Sequence, residues 1–133
     1  MIVVLDTNIW VSALNYEHRR SAPILALERM RNLHTIAVCD QIEDEISRVL
    51  VNKFKWQVST VRRQLDFFLA RSVRVPITGH LRICRDPNDD MILECAVSAG
   101  AETIVSGDQD LLSLGTFQNI RILTPAEFLE TDT

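Results

Sequence analysis

The first apolar run of the chain covers Ile2 to Leu5 and ends at an acid, Asp6. Its four apolar residues do not alternate with polar ones, which is typical of a strand covered on both faces in a parallel sheet. Other short runs of the same kind occur further along the chain and predict further strands at Thr35–Cys39, Val73–Val75, Thr103–Ser106 and Ile120–Leu123.

Between these runs the apolar residues recur at helical spacing. Predicted helices lie at Ile9–Leu14, from Ser21-Ala22-Pro23 onward, from Asp40 to Leu50 or Asn52, from Ser59, from Asp86-Pro87 to Gly100, at Gln109–Leu114 and after Thr124-Pro125. Asp40, Ser59 and Asp86 are expected to be helix caps. Because strands alternate with helices throughout, residues 1–133 are predicted to form a single three-layer α/β/α domain with a central, mainly parallel sheet.

Size and composition set broad limits on the class of protein. With 133 residues and 47% hydrophobic content, the chain is long enough to fold without disulfides. The three cysteines show no C-x-x-C spacing, which favours a reduced, cytoplasmic compartment. No run is long enough to span a membrane, and no basic leader precedes the first apolar run, so a signal peptide is not expected.

The net charge of −4 does not indicate a nucleic-acid-binding protein. It would mislead if several acids cluster around a divalent cation, because bound metal reverses the local sign of the charge.

Acids occur near the predicted strand ends. Asp6 follows the first strand, and Asp108 follows the strand Thr103–Ser106. Glu45 lies within two turns of the start of the helix after the second strand, and Asp89 lies in the first turn of the helix that leads to Thr103. Taken alone, Asp6 would be interpreted as a helix cap. A right-handed parallel arrangement can bring all four acids to one crevice, which favours a site.

Two positions require a choice between neighbouring acids. Glu45 borders the apolar stripe of its helix, whereas Asp44 points outward and Glu43 remains the competitor. Asp89 shares the inward stripe of its helix, so it is preferred over Asp90, which is expected to give support.

Four carboxylates in one crevice repel one another and resist ionisation unless a cation compensates them. Oxygen ligands suit hard cations such as Mg²⁺ or Mn²⁺. Such an ion can activate a water and stabilise the leaving oxygen of a phosphodiester, so the predicted chemistry is metal-assisted phosphodiester hydrolysis. Because the chain lacks H-E-x-x-H, G-x-S-x-G and G-x-x-x-x-G-K-[ST], zinc peptidases, serine hydrolases and P-loop enzymes are disfavoured.

Four strings in order, VVLDTNIWVSAL, DEISRVL, RDPNDDMILECAV and IVSGDQDLL, resemble the PIN-domain nucleases, specifically the branch of toxins from toxin–antitoxin pairs. The resemblance extends over almost the whole chain. It implies a fold related to 5′-nucleases, an acidic Mg²⁺ or Mn²⁺ site and cleavage of single-stranded RNA. The implied metal-site acids are Asp6, Glu45, Asp89 and Asp108. Further polar residues match positions that accompany these acids, namely Asn8, Ser106 and Asp110.

The resemblance also implies a cognate antitoxin as a partner and, as a family expectation, a homodimer. The main alternative is a non-catalytic PIN-fold module that binds RNA or protein. A phosphotransfer domain is a second alternative, but the phosphatase pattern requires Asp where Asn8 stands, and the late lysine of receiver domains is absent.

Basic pairs could meet phosphates or could equally be solvated surface. These pairs are Arg19-Arg20, Lys53 with Lys55, and Arg62-Arg63. The tryptophans Trp10 and Trp56 are expected to be packing residues.

Overall fold

The computed structural model of the protein describes residues 1–15 and 21–131. The basic pair Arg19-Arg20 therefore lies outside the described residues. In the described ranges the strands are β1 (Ile2–Leu5), β2 (Thr35–Val38), β3 (Val73–Arg74), β4 (Thr103–Val105), β5 (Thr116–Phe117) and β6 (Ile120–Leu123). They form one sheet in the order β3-β2-β1-β4-β6-β5. All neighbours pair in parallel except β5 with β6, which are antiparallel.

The helices of the described ranges are α1 (Thr7–Asn15), α2 (Ala22–Leu33), α3 (Asp40–Asn52), α4 (Val58–Phe68), α5 (Pro87–Ala99), α6 (Gln109–Leu112) and α7 (Pro125–Thr131). The chain moves from β1 to β2 to β3 in one direction along the sheet and then returns to β4 and β6. Because parallel crossovers are right-handed, this reversal places α5 on the face opposite α1 to α4. The predicted α/β/α fold with a mainly parallel sheet is confirmed. Among the described helices, none is long and apolar enough to cross a lipid bilayer.

The central strand β1 sets the position of everything at the carboxyl edge of the sheet. Val3, Val4 and Leu5 are fully buried, as the unbroken apolar run predicts. Leu5 lies opposite Val105 of β4. The chain leaves β1 toward one side of the sheet and leaves β4 toward the other, so the gap between them is the topological switch point, where open α/β sheets bind ligands.

The ends of the helices confirm some of the predicted caps and correct others. The Asp86 carboxylate accepts a hydrogen bond from the Asn88 amide at the start of α5, and Gly100 ends that helix with a left-handed φ of 66°. Asp40 is not a cap. It is the first residue of α3, after the cap position Cys39, because the extended chain of β2 turns directly into the helix. Its Oδ1 instead accepts a hydrogen bond from Arg74.

Ser59 is also not a cap, because α4 begins one residue earlier, at Val58 after Gln57. Both predicted tryptophan roles agree with the structure. Trp10 is fully buried, and the half-buried Trp56 donates its ring N–H to Asn15 Oδ1 at 2.8 Å.

One polar stripe of α5 holds the segment 76–84, which has no regular secondary structure. Its members, spaced by four residues, are Asp90, Glu94 and Ser98. Glu94 accepts backbone N–H groups from Thr78, Gly79 and Leu81 at 2.7–3.1 Å. Ser98 donates to the Pro76 carbonyl, and Asp90 Oδ1 accepts the amides of Ile83 and Cys84. The backbone N–H groups of Leu81, Gly79 and Thr78 that donate to Glu94 hold the pKa of its carboxyl below the usual value.

We expect Glu94→Gln to loosen this segment, since an amide has a single acceptor oxygen where the carboxylate offers two. The expected loss is about 1–2 kcal/mol of unfolding free energy, measured by urea denaturation at pH 7. Faster amide hydrogen exchange at Thr78, Gly79 and Leu81 should accompany it. Glu28→Gln, an exposed position on α2, is the matched control. Unchanged exchange at all three amides would contradict the anchoring role.

Candidate metal centre

A cleft of about 230 Å³ opens at the carboxyl ends of β1 and β4. The structure brings all four predicted acids to its wall, where they are joined by other polar side chains. The lining residues are Asp6, Thr7, Asn8, Glu45, Asp86, Asn88, Asp89, Ile92 and Asp108. The predicted convergence of acids from four separate segments therefore exists in the structure, and the role of each acid stays a prediction.

Asp6 is held firmly by its neighbours. Its side chain is buried, Oδ1 accepts the Asn8 backbone amide at 2.9 Å, and Oδ2 accepts the Ser106 hydroxyl at 2.6 Å. The Ser106 oxygen also accepts the Asp108 amide at 2.9 Å. Ser106 therefore ties the residue after β1 to the loop after β4, which fixes the spacing between the first and last acids.

Asp89 faces the cleft from the first turn of α5. It is only 5% exposed, and its Oδ2 is buried and accepts no hydrogen bond from any residue that the structure describes. Carboxylate oxygens of Asp89, Asp108 and Asp110 lie within 4.8 Å of one another. A buried acceptor without a donor is costly, so Asp89 Oδ2 marks a position where a bound cation would compensate charge.

The choice between the neighbouring acids of α5 has a clear geometric basis. Asp89 lines the cleft, whereas Asp90 points to the segment before the helix and accepts the two amides at Ile83 and Cys84. The supporting role expected of Asp90 is therefore indirect, because it shapes the loop that leads into the helix.

The acids of α3 separate in a similar way. Glu45 lines the cleft, and its Oε2 pairs with Arg48 at 2.6 Å. Glu43 pairs with Arg74 at 2.9 Å on another face of the helix, and Asp44 is exposed. On the opposite side of the cleft, Asp108 Oδ1 accepts the Asp110 amide at 2.7 Å.

Burial and mutual repulsion disfavour ionisation of the central acids. Burial raises the pKa of the Asp89 carboxyl from 3.8 to about 7, and the charges of Asp108, Asp6, Asp86 and Asp110 add to this effect. Burial also raises the pKa of Asp6, which hydrogen bonds from Ser106 and the backbone partly offset. The cleft thus concentrates negative charge that its own hydrogen bonds do not neutralise.

Three polar cleft residues were not predicted as site residues from the sequence: Thr7, Asp86 and Asn88. The Thr7 hydroxyl is buried and has no hydrogen-bond partner among the described residues. Asp86 was interpreted only as a cap, but it caps α5 and lines the cleft together with Asn88. Thr7 and Asn88 are next to predicted acids at the starts of helices, and Asp86 lies three residues before Asp89, which is the signal that could have identified them.

The donor set fits a hard divalent cation. Within the described residues, the polar groups around the cleft offer carboxylate, hydroxyl and amide oxygens, and the central carboxylate Asp89 has an uncompensated oxygen. Oxygen-only sites suit Mg²⁺ and Mn²⁺ rather than softer metals.

Comparisons with known proteins agree with this fold. A chain in the crystal structure of VapBC2 from Rickettsia felis, bound to a DNA fragment from its promoter, is similar with a TM-score of 0.62 and 22% identity, covering 92% of this chain and 97% of that one. VapC20 of Mycobacterium tuberculosis, a toxin that cleaves the sarcin-ricin loop, is similar with a TM-score of 0.58 and 13% identity, covering 90% of this chain and 98% of that one.

No curated protein matches the sequence. At these identities the two solved structures support the fold alone. The family model of the PIN domain matches residues 2–110, which includes every acid of the cleft and both strands that position them. The chain therefore belongs to the PIN-domain family.

Proposed function

We propose that the protein is a metal-dependent endoribonuclease that hydrolyses phosphodiester bonds in single-stranded RNA, with Mg²⁺ or Mn²⁺ as its cofactor. The observation that carries the proposal is the cleft itself, where four acids converge and one of them, Asp89, has a buried oxygen without a hydrogen-bond partner among the described residues. Membership of the PIN-domain family, whose members are generally nucleases, supports the same reaction class.

The residues of the cleft would have different roles in this reaction. Asp6, Asp89 and Asp108 would hold the cation, with Glu45 completing the acidic wall on the α3 side. A bound cation supplies charge neutralisation at the phosphate and makes water a better nucleophile. Ser106 keeps the Asp6 carboxylate in one orientation, and the exposed Asn8 amide lies at the rim, where it could donate to a phosphate oxygen.

The biological setting that we propose is a toxin–antitoxin pair. Of the similar solved structures, one is of VapBC2 and another is of VapC20, a sarcin-ricin loop cleaving toxin. A cognate antitoxin is accordingly the proposed protein partner, and a homodimer remains a prediction. A non-catalytic binding module is the alternative, and metal-dependent turnover separates it from the nuclease.

The first prediction concerns catalysis. Wild-type protein should cleave a labelled single-stranded RNA with Mg²⁺ or Mn²⁺ and should lose the activity in EDTA. Asp6→Asn should reduce the rate by at least about 100-fold, because it removes a charged oxygen from the proposed ligand set. The control is Asp44→Asn, an exposed acid of α3 outside the cleft. Equal cleavage by wild type and Asp6→Asn, or cleavage in EDTA, would reject the proposal.

The second prediction concerns metal binding without turnover. Added Mn²⁺ should raise the melting temperature of the wild type, since a ligand bound only by the folded state stabilises it by about 2.7 kcal/mol at 100 times its Kd. Asp6→Asn should show a much smaller rise, while Asp44→Asn should behave as wild type. A wild-type melting temperature that does not respond to millimolar Mn²⁺ would count against a preformed site.

The third prediction concerns the pH dependence of stability in EDTA. The folded protein binds more protons at Asp89 than the unfolded chain between pH 3.8 and about 7, so the contribution of Asp89 to the unfolding free energy falls as pH rises through that window. Asp89→Asn removes this effect. At pH 8 without metal, the variant should be more stable than wild type by at least about 1 kcal/mol, and the difference should vanish near pH 4.

With saturating Mn²⁺ at pH 8 the order should reverse, because only the wild type gains stability from the cation. Asp44→Asn is again the control for the loss of one negative charge. A variant less stable than wild type in EDTA at pH 8 would show that repulsion at Asp89 is not a cost to the folded protein.

A further inference from the structure

Two exposed arginines flank the acidic cleft, and each pairs with an acid at its rim. The rim acids are Glu45, which lines the cleft, and Asp110, which has a carboxylate oxygen within 4.8 Å of those of Asp89 and Asp108. Arg48 Nη2 lies 2.6 Å from Glu45 Oε2, and Arg85 Nη2 lies 2.8 Å from Asp110 Oδ1. Their side chains are 65% and 87% exposed. Both guanidinium groups therefore lie in solvent next to the acids that would surround a cation.

The two arginines lie on opposite sides of the cleft. Arg48 is on α3, which follows β2, and Arg85 is held against the start of α6, which follows β4. The strands β2 and β4 are the two neighbours of β1, one on each side. The cleft at the end of β1 therefore has one arginine toward each flank of the sheet.

The backbone around each arginine is fixed although the side chain is exposed. Arg48 lies in the interior of α3. Arg85 follows Cys84, whose amide donates to the buried Asp90, and precedes Asp86, which caps α5. Only the side chains need to move for the arginines to contact another group.

The ion pairs of the arginines are easily exchanged. A solvent-exposed ion pair contributes little to stability, so little is lost when a guanidinium turns to another anion. A cation in the cleft would attract the Glu45 and Asp110 carboxylates and weaken both pairs. Guanidinium groups bind phosphates through parallel N–H donors, which makes a phosphodiester chain a suitable replacement partner.

Two other exposed arginines have partners outside the cleft. Arg82 donates to the carbonyl oxygens of Gly79 and Leu81 in its own loop, and Arg74 pairs with Asp40 and Glu43 on the far face of α3. A protein with net charge −4 and an acidic cleft would repel RNA unless local positive charge offsets this.

We propose that Arg48 and Arg85 form a phosphate clamp, which contacts the RNA backbone on the two sides of the phosphate that lies in the cleft. The clamp rests on the proposed nuclease function. In the free protein each arginine is held by a rim acid, and in the complex each neutralises one phosphate. The clamp reads no base and therefore contributes affinity and register rather than sequence choice.

The test is the salt dependence of RNA cleavage, measured as kcat/KM on a labelled single-stranded RNA between about 50 and 200 mM salt with saturating Mn²⁺. The slope of log kcat/KM against log salt is negative, and each lost phosphate contact should make it less steep by about 0.7. Arg48→Ala and Arg85→Ala should each show this reduction, with KM raised about 5- to 10-fold and kcat changed much less. The double variant should lose about 1.4 in slope.

Three controls separate the clamp from other roles. Arg121→Ala removes one exposed positive charge near the start of β6, away from the carboxyl ends of the strands where the cleft lies. This change should leave the slope unchanged. Arg48→Lys and Arg85→Lys keep the charge and should restore most of the slope. The Mn²⁺-induced rise in melting temperature should be no smaller than that of wild type in any variant, because removing an arginine frees a carboxylate for the cation. Such a result excludes a loss of cleavage through damage to the metal site.

The outcomes distinguish the clamp from the nuclease proposal. Cleavage by wild type with slopes in both alanine variants equal to that of Arg121→Ala would overturn the clamp and leave the nuclease intact. If wild type does not cleave RNA, the nuclease fails, and the same slopes are then measured by fluorescence anisotropy of the uncleaved RNA. Reduced slopes there would support the clamp, and unchanged slopes or no binding would overturn it.

Discussion

The parallel pairing of β1 with β4 is the constraint on which the candidate site depends. Leu5 lies opposite Val105, so Asp6 and Ser106 leave the sheet side by side, and the Ser106 hydroxyl bonds to the Asp6 carboxylate at 2.6 Å. The chain departs from these two strands in opposite directions, which opens a crevice above them. Buried apolar strands thus determine where the charged residues meet, although none of the strand residues takes part in the chemistry.

Helix α5 shows how one element serves both the fold and the site. Asp89 faces the cleft, while the next residue begins a stripe of Asp90, Glu94 and Ser98 that holds the segment before the helix. A rotation of about 100° per residue separates the two functions, so adjacent identical side chains have different roles. Direction alone distinguishes Asp89, whose buried Oδ2 accepts no hydrogen bond from the described residues, from Asp90, whose Oδ1 accepts two backbone amides.

The sequence was sufficient to predict the buried strands, the α/β/α order and the convergence of the four acids at one cleft, because apolar runs and the residues that follow them have a regular relation in parallel sheets. It was not sufficient where local geometry decided. Asp40 was expected to cap α3, but the strand turns into the helix without a capping turn. The hairpin of β5 with β6 was missed, because its two-residue turn, Gln118-Asn119, adopts positive φ at both residues without the glycine that normally signals it.

At the site, too, the sequence was insufficient where contacts between distant parts of the chain decide the geometry. Spacing along a helix identified Glu45 and Asp89 as inward-facing, since a helical stripe follows from residue number. The double role of Asp86, as a cap and as part of the cleft wall, depends on how the loop before α5 lies against the end of β1, which no local pattern specifies. The pairing of Arg85 with Asp110 likewise depends on a tertiary contact, whereas Arg48 pairs locally with Glu45, three residues before it on α3.

The acids of the cleft differ in how the protein compensates their charge, and this difference indicates where a cation would lie. Arginines pair with Glu45 and Asp110 at the rim, and hydrogen bonds satisfy both oxygens of Asp6. The buried Oδ2 of Asp89 accepts no hydrogen bond from an arginine or from any other described residue. The compensation of negative charge is therefore weakest at Asp89. Repulsion between carboxylates costs the free protein most where Asp89 faces Asp108, so a cation bound there would stabilise the protein most. The same gradient leaves the arginines at the outside, where a polyanion would arrive.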